Sequence, residues 1–90
     1  SSYITAIVAG PYHVERGELT SRDGRTIPLG VFCRASLAEH LEAGGWLLLE
    51  HGQGQDAEVR TLLAAGGLEE VASWPDLAGI ARVTGGRLKS

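Results

Sequence analysis

The feature that most constrains this chain is the run Trp-Leu-Leu-Leu-Glu at positions 46–50, which lies between two glycine pairs or near-pairs, Gly44-Gly45 and Gly52-Gln53-Gly54. The run has no alternation of apolar and polar residues, as expected of a strand covered on both faces, the usual state of a central strand in an α/β sheet. A helix pattern follows it. Val59, Leu62 and Leu63 share a face, Asp56 is placed to cap the start, and Gly66-Gly67 ends the segment. A strand that needs two neighbours and two covering layers commits the rest of the chain to supplying them.

The remaining elements can be read in that light. Residues 3–16 are rich in β-branched side chains, and residues 26–33 alternate with Ile27, Leu29, Val31 and Cys33 on one side, so both stretches read as strands. Residues 18–25 between them are polar and contain Asp23-Gly24, a turn signal, which makes an antiparallel hairpin with a long loop. Pro11 and Pro28 each lack a ladder donor and mark edges, bends or bulges. Ser36-Leu37-Ala38-Glu39 matches a capping box and starts a short helix carrying Leu37 and Leu41, stopped at Gly44-Gly45. Near the end, residues 68–74 and 80–88 form two strands joined across Pro75-Asp76-Leu77-Ala78-Gly79. The resulting order, ββαβαββ, predicts an α+β (mixed α/β) fold: one small domain over residues 1–90 with a mixed, partly antiparallel sheet and two helices.

Size and charge narrow the function classes. A chain of 90 residues buries only about 60–65% of its unfolded surface, so a single core is expected. The apolar fraction of 43% against 21% charged is that of a folding domain rather than a disordered one. A net charge of −3 without a Lys/Arg cluster argues against nucleic acid. No apolar run approaches the ~20 residues of a membrane-spanning helix, and no secretory signal is visible, so neither a membrane nor a natural compartment is indicated; a soluble chain compatible with cytoplasmic expression is expected. The lone Cys33 allows no internal disulfide and reads as a small core residue, with an intermolecular bridge as the alternative.

No residue is predicted to be catalytic, cofactor-binding or metal-ligating, and no cofactor or obligatory small-molecule ligand is expected. His13, His40 and His51 have no zinc-motif spacing and fall in three different elements. Glu50 and His51 are adjacent in a strand and therefore point to opposite faces, which is poor geometry for acid–base work on one substrate. Ser36 is explained as a helix cap, and no Gly-x-Ser-x-Gly elbow occurs. The loop at Gly52 and Gly54 precedes a helix and could meet an anion, but it lacks a third glycine or a Gly-Lys-Ser/Thr, and Asp56 adds a repelling charge. An ordinary strand-to-helix turn is expected there. Trp46 and Trp74 read as core or interface anchors.

Two resemblances run along the chain. Tyr-Ile-Thr-Ala-Ile-Val-Ala-Gly-Pro-Tyr-His-Val, followed by Asp-Gly-Arg-Thr-Ile-Pro-Leu-Gly-Val-Phe-Cys-Arg-Ala-Ser-Leu-Ala-Glu-His-Leu, resembles the N-terminal β-domain of aminopeptidase N over residues 3–41. That family's His-Glu-x-x-His and Gly-x-Met-Glu-Asn motifs are absent. Gly-Gly-Trp-Leu-Leu-Leu-Glu-His-Gly, then Val-Arg-x-Leu-Leu and Asp-Leu-Ala-Gly-x-x-Arg-Val-Thr-x-Gly, resembles the C-terminal end of the release-factor glutamine methyltransferases over residues 42–88. The resemblance implies a late strand, a helix and a terminal antiparallel hairpin of a Rossmann-like sheet. The S-adenosylmethionine loop and the Asn-Pro-Pro-Tyr motif of that family are likewise missing.

Each segment thus lacks the chemistry of its family. The junction falls between residues 34 and 44, and Ser1-Ser2 and Lys89-Ser90 read as cloning remnants. The expectation is an artificial, recombinant chimera, not an enzyme and without a native biochemical function, selected for folding and stability. The alternative is a vestigial S-adenosylmethionine-dependent methyltransferase fragment with weak cofactor or partner binding. Fragments of larger sheets expose edges and apolar faces, so self-association as a homodimer or higher oligomer, by strand pairing or segment exchange, is expected.

Overall fold

The computed structural model describes residues 4–32 and 41–89. The predicted capping box at 36–39, Cys33, His40 and the chain ends lie outside the described residues. Among the described residues six strands form one mixed sheet: β1 (Ile4–Glu15), β2 (Glu18–Thr20), β3 (Thr26–Pro28), β4 (Leu41–His51), β5 (Glu69–Pro75) and β6 (Ala81–Arg87). A helix, α1 (Asp56–Ala65), connects β4 to β5. The order across the sheet is β3-β2-β1-β4-β6-β5, with β1 and β4 parallel and every other neighbouring pair antiparallel. The fold is α+β with a mixed sheet, as the sequence predicts, with one strand more than expected.

The additional strand is β2, inside the segment predicted as loop. Arg16 (φ 51°) and Gly17 (φ 78°) form a two-residue turn with positive φ at both positions, the conformation of the tight hairpin turns whose twist matches the flanking strands. The chain turns again at 21–25, where the amide of Ser21 donates to the Arg25 carbonyl (2.8 Å) and that of Gly24 to the Ser21 carbonyl (3.0 Å). Asp23-Gly24 therefore sits in a turn as predicted. The predicted strand over 26–33 is corrected: only Thr26–Pro28 is strand, and residues 29–32 are helical. Leu29 is buried and Phe32 meets Tyr12 edge to face at 5.8 Å, so these side chains, three apart, share a helical face instead of one side of a strand.

β4 is central, as predicted, held between β1 and β6. Its start is corrected: Leu41, assigned in sequence to the end of a helix, is the first strand residue, and the stretch to Trp46 bulges because Ile4 and Ala6 of β1 pair with Leu41 and Trp46. Gly44 (φ 79°) takes the left-handed conformation inside this bulge. Beyond it, Gly44 donates to the Leu88 carbonyl (3.0 Å) and Leu88 to that of Gly45 (2.8 Å), which rejoins the ladder. Pro11 likewise falls in a register shift between Ala9 and Tyr12, and Pro28 lies on an edge strand, as their missing donors require.

Covering on both faces of β4 is also corrected. Leu47 and Leu49 are fully buried and His51 nearly so beneath α1, whereas Trp46 and Leu48, on the other side, are only partly covered and Glu50 is exposed. The core is one layer between the sheet and its helical cover, built from Val14, Leu19, Leu29, Leu47, Leu49 and Val59 together with Leu63, Leu68 and Leu41. Each such side chain contributes about 1.5–3 kcal/mol through burial. Gly86 belongs to this layer; a Cβ there would lie 3.0 Å from Leu68 Cβ and 3.1 Å from Val71 Cγ2, so its bareness lets β5 and the end of α1 close over the sheet.

The capping of α1 departs from expectation. The N-cap is Gln55, and Asp56 is the first helical residue, its carboxylate bonded to Arg60 one turn on (2.7 Å). Gly67 (φ 91°) ends the helix as predicted, with its amide on the Ala64 carbonyl (3.0 Å) and that of Leu68 on the Leu63 carbonyl (3.2 Å). At the far hairpin, Asp76 accepts from the Ala78 amide (2.8 Å) and the Ile80 amide (3.1 Å).

These carboxylates set an acid dependence. Asp76 is held below its ordinary 3.8 by the Ile80 amide first, then the Ala78 amide and Arg82, and Asp56 by its bond to Arg60 first. A carboxyl depressed in the folded state contributes stability that is complete above the unfolded value and lost as pH falls through the folded one. Urea midpoints are therefore expected to fall as pH drops below about 5 and through the lowered carboxyl range, with Asp76→Asn flattening that slope; an unchanged slope in the variant contradicts the assignment.

Candidate functional site

Two features stand out once the sheet is assembled. The first is a buried polar chain between α1 and the sheet. His51 Nδ1 lies 2.9 Å from the Gly52 carbonyl, which only accepts, so Nδ1 carries the proton and donates. Its Nε2 lies 2.7 Å from Thr84 Oγ1, Thr84 Oγ1 lies 2.7 Å from Ser73 Oγ, and Arg60 Nη1 donates to Ser73 Oγ at 2.7 Å and to Asp56. A consistent direction exists: Arg60 donates to Ser73, Ser73 to Thr84, Thr84 to His51 Nε2, and His51 Nδ1 to the Gly52 carbonyl. No buried side-chain polar atom among the described residues is left without a partner. The chain pins α1, β4, β5 and β6 to one another. Thr84 is fully buried and His51 is 4% exposed, so the inner end of the chain is closed to solvent, while Arg60 and Asp56 at its outer end are partly exposed.

The second is the open face of the sheet. Trp46 and Leu48 of β4, Val83 of β6 and Trp74 of β5 line a wholly apolar groove of about 410 Å³. The two indoles stand edge to face at 6.0 Å, and the Arg87 guanidinium sits 5.6 Å over the Trp46 ring, anchored by Nη1 on Glu70 (2.7 Å) and Nε on the Gly44 carbonyl (3.1 Å). Val8 projects beside it from β1 at 64% exposure. Gly85, opposite Leu48, leaves room for the leucine side chain on this face, since a Cβ there would collide with Leu48 Cδ2.

The sequence candidates are placed as follows. Glu50 and His51 point to opposite faces, as the strand alternation predicts. His13 is exposed on β1, bonded through Nδ1 to Gln55 (3.1 Å), and does not meet His51. No group of three His, Cys, Asp or Glu among the described residues is arranged to hold a metal. The Gly52 loop is turned on itself: its amide donates to Gln55 Oε1 (3.1 Å), which also accepts from the Val14 amide (2.9 Å), while Gln55 Nε2 donates to the Val14 carbonyl (2.8 Å). Gln55 therefore uses the donors an anion would need and ties the turn to β1. Ser73, Thr84 and Gln55 carry no motif, and no sequence signal marks them.

A late strand, here β4, followed by a helix and a terminal antiparallel hairpin is the arrangement implied by the methyltransferase resemblance. Comparison with known proteins agrees. Over 95 aligned residues, covering 90% of this chain and 35% of the relative, the chain is 41% identical to a release factor glutamine methyltransferase of Neisseria gonorrhoeae. It is 55% identical over 53 residues to that of Xylella fastidiosa, covering 59% of this chain and 19% of the relative. It is also 54% identical over 43 residues to aminopeptidase N of Streptomyces lividans, covering 48% of this chain and 5% of that protein. The chain thus spans about a third or less of the length of these relatives. No family model matches, and no solved structure matches.

Both resemblances stand, and the sequence has mixed kinship. The expectation of an artificial, recombinant chimera that is not an enzyme and has no native biochemical function is corrected. Several methyltransferases match at 41–55% identity, and matches covering 90% and 48% of one chain must share residues. Methyltransferase similarity therefore extends into the segment that looks like peptidase alone, and the relatives it points to are enzymes. No helix among the described residues is long and apolar enough to cross a membrane.

Proposed function

We propose that this chain is a portion of a methyltransferase acting on a release-factor glutamine, in which β4, α1 and the β5–β6 hairpin complete the sheet as a scaffold. One observation carries this reading: the unit that matches those enzymes in sequence folds here as an ordered strand, helix and hairpin, locked by the buried chain from His51 to Arg60. Scaffolding is what the geometry supports, because His51, Thr84, Ser73 and Arg60 bond to one another and tie these elements together.

The residues present do not fit S-adenosylmethionine, the cofactor such an enzyme uses. The Gly52 amide is taken by Gln55, acidic Asp56 and Glu58 occupy the first turn of α1, and the groove on the open face is lined, among the described residues, by apolar side chains that offer no bond to a ribose or a carboxylate. No reaction step is assigned to these residues.

The test is a graft. Residues 41–88 replace the matching stretch of the Xylella fastidiosa relative, and transfer of labelled methyl groups to release factor is measured. A rate within about tenfold of the parent, a loss of no more than ~1.4 kcal/mol in transition-state stabilisation, is expected. A graft that folds by circular dichroism yet transfers no methyl group overturns the reading.

A further inference from the structure

We propose that the open face of the sheet is a docking surface for a second copy of this chain, stacked sheet on sheet about a two-fold axis. The inference does not rest on the methyltransferase reading. It starts from the edges, which are poor templates for another strand. β3 is three residues long and contains Pro28. β5 is interrupted by register shifts on both sides of Ala72–Trp74, carries Glu69 and Glu70 with the latter at φ 52°, and ends in Pro75. The open face has the opposite character. Its centre holds two tryptophans, the residue type most enriched where binding energy concentrates, around a groove without a polar lining, and Val8 stands next to it.

Charge selects a second copy and its orientation. Arg87, opposite Trp46, lies at one end of this face, and Glu50, opposite Val83, lies at the other. Four residues of strand separate the two levels, about 13 Å. A two-fold axis in the plane of the sheet and across the strands stacks each strand on its reversed copy, so the Arg87 end of one protomer meets the Glu50 end of its partner, twice. A two-fold along the strands would set Glu50 against Glu50 and Arg87 against Arg87. The Arg87 guanidinium is already fixed over Trp46 by Glu70 and the Gly44 carbonyl, so its charge is held at this end of the face.

The experiment is sedimentation equilibrium of the full chain with tryptophan emission followed on dilution. A dimer whose emission shifts to the red as it dissociates is expected, because both indoles leave the interface. Trp74→Lys and Val8→Lys, at positions exposed by 41% and 64% in the protomer, should each weaken association on the order of thirtyfold with circular dichroism unchanged. Glu50→Lys should weaken it about tenfold at low salt and less at high salt. Leu77→Lys, at the exposed tip of the β5–β6 hairpin away from the face, should leave it unaltered. A chain monomeric at every concentration overturns the proposal, as does a dimer indifferent to Trp74→Lys and Val8→Lys, or one disrupted equally by Leu77→Lys. A monomer that instead binds the Xylella fastidiosa relative lacking its matching stretch also overturns it, assigning the face to another occupant.

Discussion

Gly10→Ala is expected to lower stability by about 4 kcal/mol, combining about 1–3 kcal/mol of backbone strain with about 1–3 kcal/mol of overpacking. The position fails alanine on both counts. Its φ of 120° is one that side chains rarely adopt, and a Cβ would lie 2.7 Å from the Glu50 carbonyl oxygen and 3.2 Å from its amide nitrogen. These neighbours are backbone atoms of the central strand and cannot swing aside. The collision could be relieved only by prising β1 from β4, the contact that unites the two halves of the sheet. Thermal unfolding should fall by roughly 20 °C for a domain of this size. Gly24→Ala is the comparison: its φ of 86° is also positive, but open space surrounds the missing Cβ, so only the strain applies. Equal losses at the two positions would refute the close approach of β1 to β4.

Thr84→Val is the second large effect, at about 2–3 kcal/mol. Shape is nearly preserved, so the loss comes from chemistry: His51 Nε2 is left buried without a donor, and Ser73 loses the acceptor of its proton. The histidine cannot correct this by changing tautomer, because its Nδ1 proton is committed to the Gly52 carbonyl. Ser73→Ala leaves the Thr84–His51 bond intact and should cost about 1 kcal/mol. Chemical denaturation of the two variants separates the cases. If Thr84→Val costs no more than Ser73→Ala, the imidazole is not held as described.

How much of this was legible in the sequence depends on the range over which each signal acts. The core strand, α1 with its Val59–Leu63 face, the glycine stop at Gly67 and the Asp76 hairpin all rest on local patterns, and all appear in the structure. β2 was hidden because its turn uses Arg16 at positive φ, a residue that announces no turn, and because one side chain, Leu19, does all of its burying. The alternation of Ile27, Leu29 and Val31 predicted a strand that stops at Pro28; Leu29 and Phe32 find their core contacts from a helical turn, a tertiary preference that periodicity over so few residues cannot override. The one-sided cover of β4 was equally invisible, since an unbroken apolar run reads the same whether its second face meets a layer of the same chain or stands open.

The polar chain shows the limit most clearly. Placing His51 and Glu50 on opposite faces needed only strand alternation. Joining His51 to Thr84 needs the β4–β6 register, in which Leu49 faces Thr84, and that register is set by the whole hairpin together with the glycines that let it close.

The parallel pairing of β1 with β4 also fixes the order in which the molecule can assemble. The β1–β2–β3 meander and the β5–β6 hairpin each close short loops, so each can form early and dissolve again at little cost. Setting Ile7 beside Leu47 closes a loop forty positions long before any contact across it is made. The β1–β4 seam is thereby expected to form last, and its rate of formation, more than the strength of any local element, should set how long the apolar strand at its centre stays exposed to its neighbours in solution.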